Sequence, residues 1–117
     1  NFFEMIPSVL STLDEDTANK YINDGTAQLL KSYKIPVVDI SNLLEQAFSD
    51  GHVDLLSIDI EGLDAELLSI IDLDKYRPSL ICIESNDAES KSIITNKLIS
   101  SRYEILRLGD NIIAHAI

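Results

Sequence analysis

From Val53 to Ile60 the chain reads VDLLSIDI, an apolar run interrupted by Asp54, Ser57 and Asp59. Such a run fits a strand buried on both faces, the pattern of parallel sheets. Gly62 breaks it. Leu63, Leu67, Leu68 and Ile71 then recur at helical spacing, with Asp64 and Glu66 in the first turn, where negative charge suits the helix dipole. The pattern predicts a strand, a turn that gathers acids, and a helix. In open α/β sheets ligands bind where strands end and helices begin, which makes this turn the candidate site.

Upstream, residues 1–11 read as irregular, with Pro7 interrupting. Thr12 followed by Glu15 has the spacing of a capping box, and a helix through Leu13, Thr17, Ala18, Tyr21 and Ile22 should end near Gly25. Residues 26–34 fit either a short helix or an extended segment. The β-branched run IPVVDI, residues 35–40, predicts a strand with Pro36 near its start. Ser41 can cap the next helix, which turns Leu43, Leu44, Ala47 and Phe48 inward and stops at Gly51. Downstream, SLICIES, residues 79–85, predicts a second apolar strand. Residues 88–101 predict an amphipathic helix through Ile93, Ile94, Leu98 and Ile99. YEILRLGDNIIAHAI then predicts two strands joined at Gly109-Asp110-Asn111, a hairpin signal. Alternating strands and helices imply an α/β fold with parallel strands and right-handed crossovers, closed by an antiparallel pair at one edge. Glu84, Ser85 and Asn86 then lie beside the Asp59 turn if the two apolar strands are parallel neighbours.

A length of 117 residues suits one domain, and 45% hydrophobic residues suit a packed core. The formal net charge of −11 argues against a nucleic-acid partner, whose affinity comes from clustered Lys and Arg. No apolar run approaches the roughly 20 residues that span a bilayer. NFFEMIPSVL lacks the basic start of a signal peptide, and the single Cys82 excludes an internal disulfide, so a cytoplasmic location is the expectation.

The stretch VDLLSIDIEGLDAELLSIIDLDKYRPSLICIES is similar to the core of the FkbM-type S-adenosylmethionine-dependent methyltransferases. That family's pattern is a strand ending in Asp-x-Glu-Gly, a helix, and a Pro-led strand ending in Glu. IPVVDISNLLEQ resembles its Val-Pro-x-x-x-Leu-x-x-Leu-Leu segment, and SVLSTL, residues 8–13, its Ser-Thr-Leu element. The resemblance implies a partial class I methyltransferase sheet, Rossmann-like and mostly parallel, and methyl transfer with S-adenosylmethionine for the complete protein. One departure stands out. The family's cofactor site begins with a glycine-rich turn, and the glycines here, at 25, 51, 62 and 109, form no GxG. The chain is therefore expected to be a single domain, 1–117, forming the C-terminal portion of such an enzyme and inactive alone. In the family's sheet order, strands outside this sequence lie beside VDLLSIDI. Without them its edge is open, and the expectation is that IPVVDI slides in beside it or that two copies pair as a homodimer.

The resemblance makes Asp59 the acceptor or orienter of a sugar or metabolite hydroxyl, with Glu61 positioning substrate. Strand alternation places both on one face, with α-carbons roughly 6.6 Å apart, close enough to raise at least one pKa. That matters because an ordinary Asp near pKa 3.9 is a poor base towards a hydroxyl. Glu84 ends the neighbouring strand and is the candidate substrate contact. Asp39 ends an earlier strand, where class I methyltransferases contact the adenine. A second version has Asp59 and Glu61 bind Mg²⁺. Two further readings stay open: a non-catalytic association module, and a divalent-metal site on Asp59, Glu61 and Glu84 with hydrolytic or phosphoryl chemistry. His52, His115, Cys82 and the four tyrosines fit loop or packing roles.

Overall fold

A computed structural model describes residues 1–117, which divide into two compact units, Asn1–Val37 and Val38–Ile117. The first unit holds strand β1 (Phe2–Ile6), a short helical turn (Ser8–Leu10), helix α1 (Glu15–Asn23) and strand β2 (Gln28–Tyr33). β1 and β2 pair antiparallel, with a register shift between Glu4 and Met5. Met5, Ala18 and Ala27 form the small core. Residues 1–11 are thus not irregular, and the ambiguous 26–34 segment is extended. The cap of α1 is Asp14, whose carboxylate accepts from the Thr17 amide at 3.0 Å, while Thr12 Oγ1 accepts from Asp14 N at 3.0 Å. The Thr12–Glu15 capping box does not form, and Asp14 caps the helix in its place.

The second unit runs α2 (Ile40–Ser49), β3 (Leu55–Ile58), α3 (Asp64–Ile70), β4 (Leu80–Glu84), α4 (Ala88–Ser100), β5 (Tyr103–Leu108) and β6 (Asn111–Ala116). Its sheet has the order β3-β4-β6-β5. β3 and β4 are parallel, and the other two pairs are antiparallel. The sheet is mixed, and the mostly parallel arrangement is corrected: the hairpin inserts β6 between β4 and β5, so one pair alone keeps the parallel direction. The α/β class and the hairpin at Gly109-Asp110 are as read.

Alternation sorts the sheet into two faces. Ile58, Ile81, Ile83, Ile112 and Ala114 are buried together with Ala65 and Leu68 of α3, Ile94 and Leu98 of α4, and Leu44 of α2. Full burial of each such aliphatic side chain contributes about 1.5–3 kcal/mol. On the opposite face Leu55, Ser57, Leu80, Cys82, Ile113 and His115 are not buried. β3 is accordingly a four-residue edge strand covered on one face, shorter and barer than a strand buried on both. α3 faces inward through Ala65 and Leu68, whereas Leu63, expected inward, is 56% exposed. The loop before β4 is tied down through the Pro78 carbonyl and the Arg77 side chain. The Tyr103 hydroxyl donates to the Pro78 carbonyl at 2.8 Å, and the Arg77 guanidinium donates to the Ser101 and Arg102 carbonyls, both at 2.8 Å.

Residues 34–39 form no strand. Val37 and Val38 are 87% and 69% exposed, and the segment crosses the boundary between the units, so its β-branched side chains have no sheet to join. IPVVDI therefore does not fill in beside β3, whose pairing is with β4 alone. No helix is long and apolar enough to cross a membrane.

Candidate functional site

β3 ends at Ile58, so Asp59 and Glu61 are not successive residues on one strand face. They stand on a tight turn instead. Glu61 has φ +54° and Gly62 φ +98°. Glycine takes a left-handed conformation freely, but for Glu61 it costs about 1–2 kcal/mol. Asp64, the first residue of α3, offsets that cost. Its carboxylate is 5% exposed and accepts two backbone hydrogen bonds, from Ile60 N to Oδ1 and from Gly62 N to Oδ2, both at 3.1 Å. The bonds grip the chain on either side of Glu61. Hydrogen bonds to a charged acceptor are worth about 1.5–3 kcal/mol each, enough to hold the turn. Asp64 thus does more than supply the charge for the helix dipole that its place in the first turn predicts. The sequence cue to this role is Gly62 two residues before it, the residue type that a left-handed turn favours.

The β3–β4 register sets Ile58 beside Ile83, so Asp59, just past the end of β3, follows alongside Glu84, the last residue of β4. Parallel strands lie about 4.8 Å apart, which leaves two carboxylates close together. The consequence falls on Glu84, whose carboxyl is held above its ordinary value first by the charge of Asp59. Partial desolvation adds to the effect and Glu61 adds a smaller push, while a hydrogen bond with the Asn86 side chain acts against them. The sequence places such a shift within the Asp59–Glu61 pair on one strand face; the structure shows it at Glu84, on the neighbouring strand.

Beside the cluster lies a shallow open cleft, walled by Gly62, Asp64 and Ala65 on one side and by Glu84 to Asp87 with Ser90 on the other. Its far wall is fixed. Asp87 caps α4 by accepting from Ser90 N and Ser90 Oγ, both at 2.8 Å, and Ser85 N donates to the Asp110 carbonyl at 2.7 Å. Asp39 is elsewhere in role. It follows no strand, and its Oδ1 caps α2 by accepting from Ser41 N at 2.8 Å and Asn42 N at 3.4 Å, the task expected of Ser41. The structure brings together Asp59, Glu61 and Glu84, and Asp39 is not among the charges acting on that group.

The match that places this turn covers most of the chain: the model of the Methyltransferase FkbM domain aligns with residues 7–105. The chain belongs to the FkbM methyltransferase family. Searches among curated proteins and among solved structures returned no match. Within this FkbM chain, the Asp59-Ile60-Glu61-Gly62 turn and Glu84 fall inside the matched residues.

The family uses S-adenosylmethionine, and the residues around the turn do not form an enclosing site for it. The cleft is open and encloses room for little more than a water molecule, far short of the roughly 300–1,000 Å³ of pockets that enclose ligands of that size. Gly25, Gly51 and Gly62 each stand alone, and a Cβ added at any of them would meet nothing within 4 Å, so none forms the close backbone cradle of a dinucleotide-type turn. Nor do three His, Cys, Asp or Glu side chains cluster in a way that could hold a metal ion, so the Mg²⁺ reading of Asp59, Glu61 and Glu84 has no ligand set.

Proposed function

We propose that residues 53–90 of this FkbM-family chain form the acceptor side of an S-adenosylmethionine-dependent methyltransferase that acts on the oxygen of a sugar or another hydroxylated metabolite. The observation that carries the reading is the raised Glu84 carboxyl beside Asp59, at the ends of two parallel strands. A hydroxyl becomes a nucleophile as it loses its proton, and an isolated carboxylate near pKa 4 binds that proton weakly. A carboxyl lifted by a like-charged neighbour binds it more readily. In this reading the acceptor hydroxyl donates a hydrogen bond to Asp59, and its proton passes to the Asp59–Glu84 pair. Glu61, at the rim of the turn, accepts from a second hydroxyl and sets the acceptor's orientation. General-base assistance of this kind is worth about 10²–10⁴-fold in rate. The cradle for the cofactor is supplied from outside these residues.

Calorimetric titration of S-adenosylhomocysteine into the purified chain tests this division of labour. The expected result is no saturable heat at micromolar ligand. Micromolar binding would place the cofactor site within the chain and overturn it.

A further inference from the structure

We infer that Asp64 is the positioning residue of the acid cluster, its buried carboxylate setting where Asp59 and Glu61 stand relative to Glu84. The inference rests on the acceptor-side reading above and adds to it a residue that touches no substrate. Helix caps accept from the first amides of their own helix. Asp64 does otherwise: its oxygens reach back to Ile60 N and Gly62 N, both before the helix begins. The residue at the cap position, Leu63, makes no side-chain cap bond. The carboxylate thus serves the turn and not α3.

Three observations make that grip directional. Asp64 is nearly inaccessible to solvent, and its helix is tied into the core by Ala65 and Leu68, so the anchor is fixed. The two bonded amides bracket Glu61, a residue whose side chain disfavours its φ of +54° and which would leave that conformation if released. The Ile60 amide is also one end of the Asp59–Ile60 peptide, so the same bond fixes the backbone that carries Asp59. Asp59 and Glu61 are in turn the charges that act on Glu84. Losing the grip therefore loosens both neighbours of Glu84 together.

The test follows the Glu84 side-chain carboxyl by carbon-13 NMR across pH, and amide exchange at Ile60 and Gly62, in the parent, Asp64→Ala, Asp64→Asn and the control Glu66→Gln. In Asp64→Ala both amides lose protection and the Glu84 midpoint falls towards the ordinary carboxylate value, while the Ile83 and Ile112 amides stay protected. Asp64→Asn keeps one acceptor oxygen, so one amide stays protected and the midpoint falls part of the way. Glu66→Gln removes an exposed charge from the same helix turn and leaves Glu84 unmoved. An unchanged Glu84 midpoint in folded Asp64→Ala overturns the inference, and so does an unchanged midpoint in Asp64→Asn should the alanine variant unfold. None of these readouts needs methyl transfer. Failure of the methyltransferase reading would appear as absent transfer with the Glu84 response intact.

Discussion

Leu68 is the side chain through which the core reaches the acid turn, and its truncation gives a quantitative check on the fold. It lies one helical turn after Asp64, is 0% exposed, and packs in the cluster with Ile58, Ile83, Ile94 and Leu98. Leu→Ala at such a site costs about 2–5 kcal/mol, the spread reflecting how far the cavity collapses. α3 spans only Asp64–Ile70 and lies over an edge strand, so it can settle towards the sheet, which places the cost in the lower half, about 2–3 kcal/mol. At about 4–8 °C per kcal/mol for a small domain, Tm should fall by roughly 10–20 °C. Leu63→Ala is the matched comparison, because both leucines fit the same helical stripe in the sequence but Leu63 is 56% exposed. Its cost should stay within about 0.5 kcal/mol. Circular dichroism at 222 nm against temperature and urea measures both variants. Equal losses, or a Leu68→Ala loss under about 1 kcal/mol, would show that α3 does not face the sheet through Leu68.

Two pH-dependent outcomes follow from the charges. Asp59→Asn should lower the Glu84 midpoint, since the Asp59 charge is the largest influence raising it, and carbon-13 NMR of the carboxyls reads the change. Because the folded value lies above the unfolded one, the Glu84 contribution to stability is present at pH below the unfolded pKa and is lost as pH rises through the folded value; Asp59→Asn should flatten that dependence. His115 is likewise raised, first by the Ala116 carbonyl that accepts from Nδ1 at 3.0 Å and then by Glu104, 2.8 Å from Nε2. Its contribution is complete below the ordinary histidine value near 6.5 and fades as pH rises past the folded one, and Glu104→Gln should lower the proton-NMR midpoint only in part.

What could be read from the sequence depended on how local the cause was. LICIE and the Gly109-Asp110 hairpin carry their pattern within a few residues, and both formed where expected. The meeting of Asp59 with Glu84 followed from two apolar runs being parallel neighbours, which the β3–β4 register bears out. IPVVDI forms no strand because β-branched residues make one only where another strand accepts them, and Ile35, Val37 and Val38 are exposed while Ile40 opens α2. β1 is hidden in the sequence, and β2 is one of two alternatives for residues 26–34, for the opposite reason. FFEMI and QLLKSY show no clean alternation, and their pairing shifts register at Glu4 and Met5. The role of Asp64 depends on Glu61 taking a left-handed conformation that no glutamate announces. Gly62 was the one visible hint.

The central claim is that this chain carries the acceptor side of the methyl-transfer reaction. Its most direct test joins the glycine-rich half of an FkbM-family methyltransferase upstream of this chain, with S-adenosylhomocysteine binding as the check that the joined protein has assembled. Transfer of a labelled methyl group from S-adenosylmethionine to a panel of sugars and hydroxylated metabolites is then measured, with Asp59→Asn alongside. The account predicts transfer to at least one hydroxyl acceptor, falling by about 10²-fold or more in Asp59→Asn. A cofactor-binding protein that methylates none of them, or an Asp59→Asn variant as fast as its parent, would contradict it.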